Sequence, residues 1–123
     1  MPLETGDHAQ ITRISNPFGL RVSGEIDVGN LATLVRALRW AVRVSGQDIR
    51  LDLAGLTFID VAGLRFIVAV AAGLPPGRSI VLDAVPPHVR RLMTLVGWDR
   101  APGLAFTGAD PDRPGSRPTE PTT

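Results

Sequence analysis

The apolar positions of this chain alternate in short runs, and between those runs they repeat at helical spacing. Ile11–Ile14 and Leu20–Ile26 are strand-like, and Asn16, Pro17 and Gly19 between them predict a hairpin. Leu20, Val22 and Ile26 share one side of the second run, which Gly24 interrupts. Asp27 follows, and Asn30 stands where a cap is needed for a helix over Leu31–Val44. On that helix Leu31, Leu34, Val35, Leu38 and Val42 form an apolar stripe at steps of three and four. Arg36, Arg39 and Arg43 fall opposite, and Ser45-Gly46 ends it.

Alternation returns over Asp48–Leu53, with Ile49, Leu51 and Leu53 set against Arg50 and Asp52. Leu56–Ile59 leads into Asp60-Val61-Ala62-Gly63-Leu64, and an apolar helix then runs to about Ala72 before Gly73 and Pro75-Pro76-Gly77 break it. Ser79–Leu82 reads as another strand. Pro86-Pro87 opens a helix on which Val89, Leu92, Met93 and Val96 repeat. Gly97 is expected to be its left-handed end, with Trp98 folding back, and Leu104–Phe106 closes the pattern. The order β-β-α-β-α-β-α-β predicts one α/β domain with a mostly parallel sheet, right-handed crossovers and an antiparallel opening edge.

The folded unit is then residues 10–106. Residues 1–9 read as a flexible N-terminus without the apolar core of a signal peptide. Residues 107–123, TGADPDRPGSRPTEPTT, hold four of the eleven prolines and almost nothing to bury, which predicts a disordered tail. The longest apolar run, Phe66 to Leu74, falls far short of the ~20 residues of a membrane-spanning helix, so no direct membrane insertion is expected and a cytoplasmic protein is the simplest reading.

Composition removes several functions. All 13 basic residues are arginine, balanced by 12 acidic ones, and a net charge of +1 argues against nucleic-acid binding. The Arg36/Arg39/Arg43 stripe and the pair Arg90 and Arg91 need only solvent. With no cysteine there is no disulfide framework, thiolate zinc site or cysteine nucleophile. His8 and His88 lack partners at metal-ligand spacing and read as surface histidines, so neither a metal nor a cofactor is expected. Gly-x-Gly-x-x-Gly, the lysine-containing phosphate loop and Gly-x-Ser-x-Gly are all missing, which leaves no enzyme motif.

Two carboxylates stand out. Asp27 and Asp60 each end a strand just before a helix, at the edge of an open parallel sheet where ligands and partners gather. Each also has a local use: Asp60 as a helix cap on Ala62 or Gly63, and Asp27 as a turn former with Gly29. Leu64–Ala72 is apolar nearly all round, and away from Leu64, Ile67, Val68 and Ala71 it presents Arg65, Ala69 and Ala72, a flat surface that another helix could approach.

Gly24-Glu25-Ile26-Asp27, followed by an amphipathic helix, resembles the Gly-Glu-Leu-Asp segment of STAS domains, the sulphate-transporter and anti-sigma-factor antagonist domains. Phe58-Ile59-Asp60-Val61-Ala62-Gly63-Leu64, after the strand Asp48–Leu53, is similar to their Asp-Ser-Ser-Gly-Leu, and Val89–Trp98 to their last conserved helix. The resemblance covers about Ile11 to Phe106. It implies a STAS fold with a central sheet of four to five strands, flanking helices and no catalytic activity. Stand-alone bacterial members bind a GHKL-type anti-sigma kinase, so releasing a sigma factor, and that kinase phosphorylates the second serine or threonine of the motif. Here Val61 and Ala62 occupy the two serine positions, and Thr57 lies three residues early on the strand side.

The resemblance therefore implies an antagonist-like protein without the usual switch. Its partner-binding residues would be Asp27, Asp60, Val61, Ala62, Gly63, Leu64 and Arg65, with Arg65 placed for a bidentate pair with a partner carboxylate. The expected partner is the anti-sigma kinase, the protein itself being a monomer or weak homodimer. The alternative is a structural subunit of a lipid-transport ATPase or a stress-signalling scaffold. Nucleotide or small-molecule binding at the same edge lacks a Gly-rich loop to support it.

Overall fold

The computed structural model describes residues 4–6 and 8–107. The strands are β1 (Glu4–Gly6), β2 (Ala9–Ile14), β3 (Gly19–Ile26), β4 (Ile49–Asp52), β5 (Leu56–Ile59), β6 (Ile80–Asp83) and β7 (Leu104–Phe106). The helices are α1 (Leu31–Val44), α2 (Val61–Ala72) and α3 (Pro87–Val96), with 3-10 turns at Val28–Asn30 and Trp98–Arg100. The element types and order expected from periodicity are present. The sheet has seven strands rather than four to five, the additional ones being Glu4–Gly6 and Leu56–Ile59 as a strand separate from β4. Glu4–Gly6, within the stretch read as a flexible N-terminus, pairs antiparallel with Ala9–Ile11, and Leu56–Ile59 pairs parallel with the end of β3.

Spatial order is β1-β2-β3-β4-β6-β7, with β5 continuing beyond β4 along the same side of β3. The two pairs β1/β2 and β2/β3 are antiparallel and every other pair is parallel. From β3 onward each crossover steps in the same direction. Right-handed connections then place all three helices on one face. The burial alternation agrees: Leu20, Leu51 and Leu82 are buried, whereas Arg21, Arg50, Asp52 and Asp83 of the opposite phase keep solvent contact. Because the strand order never reverses, there is no crevice between helices on opposite faces, the usual ligand site of a doubly wound sheet.

One core joins sheet and helices: Ile11, Val22, Ile26, Ile49 and Ile80 meet Leu34, Leu38, Leu64, Ile67, Val89 and Met93. Gly97 ends α3 at φ 82°, and Trp98 packs against the core. Arg36, Arg39 and Arg43 are exposed along α1, as are His8 and His88. Thr107, assigned from sequence to the tail, is tied to the sheet: its amide donates to Leu82 O at 3.0 Å and its hydroxyl to Asp83 Oδ1 at 2.5 Å. The remaining tail, residues 108–123, lies outside the described residues.

Candidate functional site

Asp27 and Asp60 are brought side by side. β3 and β5 pair in register at Ile26 and Ile59, so each aspartate is the first residue past neighbouring strand ends. The Asp60 amide donates to Ile26 O at 3.0 Å, which stitches the two loops together. Each carboxylate also serves its own backbone. Asp60 Oδ1 accepts the Gly63 amide at 3.1 Å and caps α2; Asp27 Oδ1 accepts the Gly29 amide at 2.9 Å. These are the local roles that sequence allowed for them. Asp27 is exposed and Asp60 half-exposed, so the carboxylates still reach solvent.

Asn30 differs from expectation. Its side chain makes no capping bond to α1. Instead Asn30 Oδ1 accepts the Asp27 amide and Nδ2 donates to Glu25 O, both at 2.8 Å, while the residue is only 5% exposed. The loop from Glu25 to Asn30 is thus closed by a buried amide, and the position of Asp27 depends on it.

Two glycines let the loops approach. Gly24 has φ +88°, and a Cβ there would stand 2.1 Å from His8 O, whose carbonyl accepts the Glu25 amide. A Cβ on Gly63 would come within 2.9 Å of Ile59 Cγ1 and 3.2 Å of Ile26 Cγ2. The first turn of α2 therefore lies directly on the ends of β3 and β5.

Of the residues expected at a partner surface, Asp27, Asp60, Val61, Ala62 and Arg65 reach solvent. Gly63 and Leu64 do not: both are buried, Leu64 at 1% exposure in the core, so they support the surface from beneath. Sequence reasoning missed two apolar members. Val28 is 79% exposed beside Asp27, and Phe58 is 47% exposed, matching Val61 at 47%. Phe58 points outward because it alternates with buried Ile59 and pairs with exposed Glu25; the β3/β5 register shift before it leaves Thr57 as an extra residue whose hydroxyl donates to Gly24 O at 3.0 Å. An aromatic residue in a strand next to a capping aspartate was the available signal. Down α2 the exposed surface continues through Arg65, Ala69 and Ala72, the small flat stripe expected there.

The two loops and the first turn of α2 thus leave apolar side chains exposed beside two carboxylates. Among the described residues, no group of three His, Asp or Glu side chains could hold a metal ion. Among the same residues, no helix is long and apolar enough to cross a membrane.

The family described as Mlab, STAS domain, matches residues 9–106. The chain belongs to the STAS family. A crystal structure of an anti-sigma factor antagonist from Mycobacterium paratuberculosis superposes with a TM-score of 0.72 at 26% identity, covering 84% of this chain and 90% of that one. No curated protein matches the chain. In STAS terms, the Gly-Glu-x-Asp segment is the Asn30-locked loop, and the Asp-x-x-Gly-Leu segment is the capped start of α2.

Proposed function

We propose that this STAS protein is a non-catalytic regulatory binder of the anti-sigma-factor antagonist type, docking on a GHKL-type anti-sigma kinase to release a sigma factor. The surface it offers comprises Asp27, Asp60, Val61, Ala62 and Arg65, together with Val28 and Phe58. The observation that carries this reading is the joining of the two strand-end loops, which leaves Val28, Phe58 and Val61 exposed on the segments that hold Asp27 and Asp60. Exposed apolar groups beside fixed carboxylates suit a protein partner that brings apolar side chains and basic groups.

Ala62 decides how the binding is controlled. A phosphate at that position would add about −1.5 to −2 charges beside Asp27 and Asp60, and burying that charge against the partner's apolar groups would oppose binding. A methyl group accepts none, so binding here is constitutive or set by the amount of protein. Incubation with the cognate kinase and ATP tests this: the two should associate without phosphate entering the chain, and incorporation would sink the constitutive reading. Ala62→Asp places a charge in the first turn of α2, where the helix dipole tolerates it, so the fold survives. Its affinity should drop at least about tenfold, a cost of roughly 1.4 kcal/mol. Unchanged affinity would remove Ala62 from the interface.

The same missing hydroxyl favours a second reading, in which the surface is a permanent contact of a structural subunit in a lipid-transport ATPase. Recovery of the tagged protein from cells, with identification of what accompanies it, separates the two. An anti-sigma kinase supports the first reading and an ABC ATPase the second.

A further inference from the structure

At the other end of the parallel strands, the β2–β3 turn and the carboxyl end of α1 border a wide, open pocket of about 460 Å³. Arg13, Phe18, Trp40, Val44 and Gln47 line it. That volume lies within the range of small-molecule sites. The Phe18 and Trp40 rings sit 5.9 Å apart, tilted by 45°, and the Arg13 guanidinium lies 5.8 Å from the centre of the Trp40 ring. Val44 is 54% exposed here although it is a large apolar residue.

Arg13 differs from its neighbours on the sheet. Arg21 pairs with Asp52 and Arg50 with Asp83, whereas no carboxylate of the described residues pairs with Arg13. Aromatic side chains and a guanidinium with no carboxylate partner among the described residues therefore share one opening. The last carbonyls of α1 carry the negative end of its dipole and repel an anion lodged against them. A carboxylate must then sit on the β2 side, where Arg13 is.

We infer that this pocket binds a small aromatic carboxylate, with its ring against Trp40 and Phe18 and its carboxylate on Arg13. The site shares no residue with the Asp27–Asp60 surface. The 14 residues of α1 separate the two by about 20 Å, so it stands whether or not the partner reading does.

The full chain carrying Trp98→Phe leaves Trp40 as its sole tryptophan and reports on the pocket by fluorescence. Titration with phenylacetate should saturate in about the millimolar range, the scale reached by a ligand of roughly ten heavy atoms. The neutral phenylacetamide should bind about fivefold or more weakly, because it lacks the charge-assisted hydrogen bond. Arg13→Gln should erase that difference, with the melting temperature unchanged because the residue is exposed. Equal affinity for acid and amide, or quenching that stays linear for both, would overturn the proposal, as would an Arg13→Gln variant that still prefers the acid.

Discussion

Replacing Asn30 with aspartate separates two roles that the sequence alone merges. If Asn30 merely capped α1, aspartate would serve as well, and stability would change by no more than about 0.5 kcal/mol. In the structure, Asn30 instead accepts from the Asp27 amide and donates to Glu25 O, both at 2.8 Å. Aspartate keeps the acceptor but loses the donor, and it sets a carboxylate oxygen against a carbonyl at a position only 5% exposed. An unpaired buried acceptor costs about 1–3 kcal/mol, and the buried charge adds to it. Asn30→Asp should therefore lose about 2–3 kcal/mol at neutral pH, a fall in melting temperature on the order of 10 °C. Urea unfolding followed by circular dichroism measures this directly, with an unchanged m-value showing that the unfolded state is unaltered.

The pH dependence has a definite sign. Burial beside a carbonyl raises the folded-state pKa of the introduced carboxyl, and its protonated form can donate to Glu25 O as the amide does. The stabilising protonated form is present at low pH and lost as pH rises through that folded value. The deficit relative to the parent should thus shrink on acidification. A loss below about 0.5 kcal/mol at neutral pH would show that the Asn30 bonds do not hold the loop.

Other consequences are equally open to measurement. For Asp52, burial works to raise the pKa, but the Ala54 amide, the Arg21 guanidinium and the charge of Arg50 together outweigh it, and the carboxyl lies below its usual value of 3.8. Charged Asp52 therefore adds stability above about pH 4 that is lost as pH falls through the depressed folded value, so Asp52→Asn should flatten the acid limb of the stability curve; an unaltered limb would contradict the assignment. Gly24→Ala combines φ +88° with a contact 2.1 Å from His8 O and should cost about 3 kcal/mol or more in urea unfolding. Ala84 is exposed at φ 57°, so Ala84→Gly should raise stability by up to about 1 kcal/mol, and a clear loss would show that the left-handed backbone carries no strain there.

Helical and alternating periodicity sufficed for α1, α3, β4 and β6, because each buries one side and wets the other. Glu4–Gly6 could not be read that way: three residues are too few to show a period, and the strand exists through its pairing with β2. β5 was obscured by its bulge, which exposes Thr57 and Phe58 together and breaks alternation. At the candidate site, Asp27 and Asp60 were visible as strand-end carboxylates. Their adjacency depends on β5 pairing with β3 across a separation of about thirty residues, which local pattern does not encode. On α2 the spacing already set Leu64 with Ile67 and Ala71, away from Arg65, Ala69 and Ala72, and Leu64 was expected at the partner surface only through the motif that it ends.

If the joined loops form a protein-binding surface, its occupancy is not switched by phosphate on α2. Calorimetric titration of the purified chain against its cognate anti-sigma kinase in the presence of ATP, followed by the intact mass of the recovered chain, tests it most directly. Binding should be saturable and weakened at least about tenfold by Ala62→Asp, with the mass unchanged. No binding, or a mass increased by one phosphate, would contradict it.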